Sequence, residues 1–236
     1  MASPPGANRV SDVLHRGAHA VVNHVRRAPA THAYVFTLLV TTAVVHTLDR
    51  RVADELLRQV STNLYEMGRD ALRVLLLSAF LLDGPQWLSQ VLLVSIVVGT
   101  LERRIGTSPM IVLVTVGHFG ATLVTTAGIW ANVRFGHSGG DLVRAVDVGA
   151  SYVMFAAAGA VVMGLGRWRR SAQVGLALEV GVPLALRHTF TDAGHVAAAA
   201  IGASFVVVLA AASLHAVPRQ PTSAGGDPQH GRDTVT

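Results

Sequence analysis

Apolar residues in this chain come in long blocks instead of alternating with polar ones. A helix that crosses a bilayer needs about 20 mostly apolar residues, because hydrocarbon offers no partner to a bare backbone N–H or C=O. Six windows meet or approach that length: residues 31–48, 86–101, 110–131, 148–165, 172–186 and 193–217. They predict an all-α, polytopic membrane protein built as a six-helix bundle. A further apolar run, 71–82, is too short to cross and is stopped by Asp83-Gly84-Pro85, so it is expected at the interface or packed on the bundle. It belongs to a long connection, 49–85, that also carries Val52, Leu56, Leu57, Val60 and Leu64 at amphipathic spacing. A loop of that length usually has structure or a task of its own.

The flanks read differently. Residues 1–29 place Val10, Val13, Leu14 and Ala18 at helical spacing with arginines between them, which predicts a short surface helix. Two prolines within residues 1–6, and no charged start leading into an early apolar core, argue against a signal peptide. The membrane domain is expected over 30–217. Residues 218–236, rich in Pro, Gly, Ser and Asp, read as a disordered tail. No repeat of fixed period is visible, which weakens the case for a transporter of duplicated halves.

Composition sharpens this picture. Hydrophobic residues make up 51% of the chain and charged residues only 14%, where soluble domains carry about 25% charged residues. A soluble enzyme, a disordered chain and a nucleic-acid binder are all disfavoured. The net charge of +5 is spread without any long basic cluster. It fits better as a topology signal: with the N-terminus inside and alternating spans, most arginines fall inside and Asp49, Asp54, Glu55, Glu66 and Asp70 fall outside. Both termini are therefore expected in the cytoplasm, with the bundle in the plasma membrane. All 19 basic residues are arginine, and the absence of cysteine excludes a thiol nucleophile or a thiolate metal site.

Strongly polar side chains within spans are costly unless paired or wetted, so each one is a functional candidate. Gln86 and Gln90 share one helix face, where amides can hydrogen-bond between helices. Glu102-Arg103-Arg104 ends the second span, where a salt bridge and a topology anchor are expected; Glu179 is expected to snorkel or pair internally. Asp147-Val148-Gly149-Ala150-Ser151-Tyr152 opens the fourth span. Ser151 follows a glycine that permits close backbone approach, near a helix start whose free N–H groups can receive a developing oxyanion. Asp192-Ala193-Gly194-His195 opens the sixth, and Gly194, Ala198 and Gly202 form a small-residue stripe suited to tight packing on the small-residue fourth span. Both helices start on the same side, so Ser151 and His195 come to similar depth. A serine hydroxyl needs a base to act as a nucleophile, and neutral imidazole is the usual one.

These residues resemble the rhomboid family of intramembrane serine proteases, and more closely the rhomboid-like membrane proteins of actinobacteria. The likeness is carried by Val98-Gly99-Thr100-Leu101-Glu102-Arg103-Arg104-Ile105-Gly106-Thr107, by Gly149-Ala150-Ser151, and by Gly194-His195 with Gly202, in the family's order. It covers about residues 62–211. The resemblance implies Ser151 as nucleophile, His195 as base, and Gln86 and Gln90 in the places of the family's oxyanion-supporting His and Asn, with Gly149 beside them. The implied substrate is a membrane-anchored protein. The sequence departs from the family at Tyr152, where active members usually have Gly, and at Gln86, where they have His. Tyr152, Asp147 and Asp192 are thus candidate modulators of the pocket.

Two other readings compete. One is an inactive rhomboid-like protein that binds membrane helices as clients. The other is an ion or proton pathway through His118, Asp147, Asp192 and His195, in which Asp192 and His195, three apart on one face, would pair. No metal-ligand spacing matches a standard motif, and no cofactor is implied.

Overall fold

The computed structural model describes residue 17 and residues 21–82, 84–136, 143 and 146–215. The expected surface helix around Val10–Leu14, the stop at Asp83 and the tail after 217 lie outside the described residues. Residues 21–26 are helical. Then follow α1 (Pro29–Thr47), α2 (Arg50–Val60), α3 (Leu64–Ser78), α4 (Trp87–Ile105), α5 (Thr107–Arg134), α6 (Ser151–Met163), a 3-10 turn (Gly166–Trp168), α7 (Arg169–Arg187) and α8 (Phe190–His215). No strand occurs among the described residues.

Six of these helices fall on the six apolar windows. Two of them, Thr107–Arg134 and Phe190–Ala212, are long and apolar enough by themselves to cross a membrane. The outward faces carry apolar stripes at helical spacing: Leu88, Leu92 and Ile96 on α4, and Val174, Leu178, Val182 and Leu186 on α7, all well exposed. Exposed apolar area on this scale marks a surface that meets lipid or a partner.

The fourth window is cut short. Residues 146–150 are not helical, and α6 has 13 residues, about 20 Å at 1.5 Å per residue. The cause is Gly149, whose φ of +132° lies outside what other residues readily adopt. A non-helical segment therefore carries the chain to Ser151, the first residue of α6.

The long connection is folded. Asp49 caps α2 by accepting from the Arg51 N–H (2.9 Å), and Asn63 caps α3 through the Glu66 N–H (2.9 Å). The apolar 71–82 run lies partly within α3, which kinks at Asp70 and ends at Ser78, earlier than the run itself. Its end is fixed to α1 by the Tyr34 and Thr41 hydroxyls, which donate to the carbonyls of Ala79 (2.5 Å) and Phe80 (2.6 Å).

The core lies between α6 and α8, and glycine permits it. A Cβ at Gly202 would come within 2.7 Å of the Ala156 carbonyl carbon, and one at Gly159 within 2.9 Å of that of Ala199. Backbone thus touches backbone at Gly202 and at Gly159, and Ala156, Ala157 and Ala198 are fully buried. Glu102 corrects an expectation. Its buried carboxylate makes no ion pair among the described residues; it accepts from the Ala30 and Thr31 N–H groups (3.1 and 2.8 Å) and from the Thr31 and Thr107 hydroxyls (2.7 and 2.8 Å). The orphan N–H groups at the start of α1 explain this, since they need an acceptor and hold the carboxylate away from the solvated arginines beside it. Glu179 is exposed on α7 without an internal pair among the described residues.

Candidate functional site

The segment before α6 is tied to the α2–α3 junction. The Asp147 N–H donates to Ser61 Oγ (2.7 Å), and its carbonyl accepts from the Thr62 N–H (2.9 Å) and hydroxyl (2.9 Å). The Gly149 N–H donates to the Ser78 carbonyl (3.0 Å). Gly149 therefore shapes the approach to Ser151, while its own N–H is engaged elsewhere.

The Asp147 carboxylate gathers three hydroxyls from three elements. Tyr152 donates to Oδ2 at 2.8 Å, Thr62 to the same oxygen at 3.0 Å, and Thr191 to Oδ1 at 3.2 Å. This network joins the starts of α6 and α8 to the long connection. Tyr152 is buried and passes over Gly194, where an added Cβ would sit 2.5 Å from the ring. Its ring centroid lies 5.6 Å from that of His195 and 6.0 Å from that of His118.

Ser151 is half-buried and borders a narrow polar recess shared with Thr62, Ser78, His118, Asp147 and Tyr152. His195, on α8, does not line this recess and packs against Tyr152, which does. Its ring packs on Phe155 at 4.5 Å between centroids, and its Nε2 is buried without a hydrogen-bond partner. Phe155 is one helical turn after Ser151 and shares its face. No hydrogen bond joins Ser151 to His195.

The other sequence candidates are scattered. Gln86 is exposed at the N-cap of α4, and Gln90 is half-buried one turn later; neither borders the recess at Ser151. Asp192 does not hydrogen-bond to His195. It is buried in the α7–α8 turn, accepting from Arg187 (2.6 Å) and from the Thr189 hydroxyl (2.6 Å), while its N–H donates to Thr189 Oγ1 (3.1 Å). The turn, closed by His188 in the left-handed conformation, brings those donors closer than the imidazole. His118 is also committed: its Nε2 donates to the Leu75 carbonyl (3.0 Å) and lies 3.2 Å from Ser78 Oγ. Among the described residues no group of three His, Cys, Asp or Glu is placed to hold a metal.

Sequence reasoning missed Ser61, Thr62 and Thr191, which form the cage around Asp147. Their partners are 86, 85 and 44 residues away, and no local pattern signals such contacts. It also missed Phe155, although Ser151 and Phe155 at i and i+4 on one helix carried that signal.

A family model described as rhomboid-like protein matches residues 23–213. The chain belongs to the rhomboid-like protein family. Its match runs from the helical residues before α1 almost to the end of α8, so the whole bundle of this rhomboid-like membrane protein is covered. No curated protein matches the chain.

Proposed function

We propose that this rhomboid-like protein is an intramembrane serine peptidase with six membrane crossings, Ser151 as nucleophile and His195 as base. The observation that carries this reading is the unpartnered, buried Nε2 of His195 beside Phe155, on the helix face that Ser151 shares. A neutral imidazole nitrogen without another partner is available to take the hydroxyl proton. In empty enzymes such hydrogen bonds are often long and tighten when substrate binds. The start of α6, whose N-cap Ala150 makes no side-chain cap, offers N–H groups to the oxyanion. The substrate class is a membrane-anchored protein with a locally unwound helix, because a regular helix hides its peptide bonds. Arginines at one end of the bundle support an inside location for that end and for both termini, in the plasma membrane.

A second reading is a rhomboid-like protein that binds membrane helices without cleaving them. It is favoured by Tyr152, whose ring packs on His195 and whose hydroxyl is held by Asp147. One experiment separates the two. Purified protein in detergent is treated with a fluorophosphonate probe, and Ser151→Ala and His195→Ala are compared with wild type. Wild-type labelling reduced about 10³-fold or more in both variants supports the peptidase. Labelling that persists in both removes the pair, and no labelling at all, with a client helix retained equally by wild type and Ser151→Ala, leaves the binding reading.

A further inference from the structure

Charge is distributed very unevenly between the two ends of the bundle. Arg26 and Arg27 stand just before α1, whose first N–H groups meet Glu102 at the end of α4. Arg103 and Arg104 follow in the last turn of α4, and the Arg104 guanidinium donates to the Val161 carbonyl (3.2 Å) near the end of α6. The chain then runs through Arg167 and Trp168 into Arg169 and Arg170, the first residues of α7. Four segments thus bring their arginines to one end of the bundle.

All of these arginines are exposed. Among the described residues the ion pairs are Arg58–Glu55 and Arg187–Asp192, both at the opposite end. Glu102, the acid nearest the cluster, is buried and its oxygens are taken by four donors. The first turn of α7 carries two arginines and no acid, against the preference for negative charge at a helix start. Among the described residues, therefore, no acid pairs with this arginine cluster.

Its surroundings indicate the kind of anion that suits it. Exposed Trp168, with the Arg167 guanidinium 5.2 Å from its ring centroid, is placed as aromatic side chains are at the polar edge of a bilayer. Directly beyond the arginines, the exposed Val174 and Leu178 of α7 begin an apolar stripe along the bundle. A molecule with a phosphate beside two hydrocarbon chains matches both features: the phosphate meets guanidinium forks and the chains lie on the stripe. We infer that the arginine-rich end of the bundle binds the headgroups of anionic phospholipids, with Arg104, Arg167, Arg169 and Arg170 as the principal contacts. Each arginine near an anionic surface is worth about fivefold in affinity. The inference rests on the bundle lying in a bilayer and is independent of the chemistry at Ser151.

The test uses the full chain in nanodiscs of mixed phosphatidylcholine and phosphatidylglycerol, with retained lipids counted by native mass spectrometry after release. Wild type retains phosphatidylglycerol preferentially, and raised salt lowers the retention. The triple variant Arg167→Gln, Arg169→Gln, Arg170→Gln loses at least about tenfold in retention. A control with the same charge loss at the other end (Arg50→Gln, Arg51→Gln, Arg73→Gln) stays within about twofold of wild type. Equal losses in the two variants, or no preference for phosphatidylglycerol in wild type, overturn the inference. Should the triple glutamine variant fail to fold, Arg→Lys at the same positions keeps the charge but not the fork. It then shows several-fold weaker retention, and unchanged retention overturns the proposed guanidinium contacts.

Discussion

Tyr152 and Asp147 are joined by a 2.8 Å hydrogen bond that spans the non-helical turn into α6. The bond closes a loop over Gly149 and Ser151, so the residue that departs from the family pattern is also one that fixes the start of the helix. Removing the hydroxyl with Tyr152→Phe keeps the ring against His195 and Gly194 but takes one of three hydroxyl donors from the carboxylate. A hydrogen bond to a charged group is worth about 1.5–3 kcal/mol, so thermal unfolding in detergent should show a loss of that order. In a double-mutant cycle with Asp147→Ala, the two changes should couple by about 0.5–3 kcal/mol. Additive effects would mean that the bond does not act as a unit.

Much of the fold was legible in the sequence because hydrocarbon imposes a one-dimensional rule: each crossing needs a continuous apolar run. The small-residue stripe Gly194, Ala198 and Gly202 could be read in the same way, since close helix contact demands the absence of a side chain. What could not be read was set by distant pairing. The apolar window 148–165 extends beyond both ends of α6 because hydropathy does not sense the φ of Gly149 or the hydrogen bonds to Ser61, Thr62 and Ser78 that hold the preceding segment out of the helix. Asp192 was paired in prospect with His195 from spacing along one helix. The α7–α8 turn supplied nearer donors in Arg187 and Thr189. Gln86 and Gln90 were matched to the site by counting along α4, which fixes position along a helix but not the face turned to Ser151.

The Asp192 cluster permits a ranked prediction. Asp192 is buried, whereas the Arg187 side chain is 62% exposed. Solvent screens the ion pair, so Arg187→Gln should cost no more than about 1 kcal/mol. Thr189→Val removes both the hydroxyl that donates to Asp192 and the acceptor for its N–H, leaving buried groups unsatisfied at a cost of about 1–3 kcal/mol. Thermal denaturation should therefore place Thr189→Val below Arg187→Gln. The reverse order would show that charge, not burial, governs this turn.

Glu102 holds three helix ends together at the arginine-rich end: the start of α1, the end of α4 and the start of α5. Glu102→Gln keeps the shape but replaces one acceptor oxygen with an NH₂ facing groups that are themselves donors. The expected loss is about 2–4 kcal/mol, from weaker neutral hydrogen bonds and at least one unpaired donor. Hydrogen exchange should report it first at the Ala30 and Thr31 amides. Protection that remains at wild-type level there would show that the α1 start is held by packing alone.

Glycine-to-alanine changes offer the most direct test of the packing, because two glycines in helices of this protein should respond differently. At Gly202 the new Cβ would lie 2.7 Å from the Ala156 carbonyl carbon and 3.0 Å from its Cα. These are backbone atoms, so relief requires α6 and α8 to separate, and overpacking of this kind costs about 1–3 kcal/mol. The same separation would pull His195 away from Phe155, so on the peptidase reading Gly202→Ala should also slow fluorophosphonate labelling. At Gly175 on α7 nothing lies within 4 Å of the added carbon. Alanine there gains about 1 kcal/mol of helix propensity without any contact to disturb. Unfolding midpoints in detergent should therefore fall for Gly202→Ala and rise or hold for Gly175→Ala. Equal responses at the two sites would contradict backbone contact between α6 and α8, and with it the packing of His195 on Phe155.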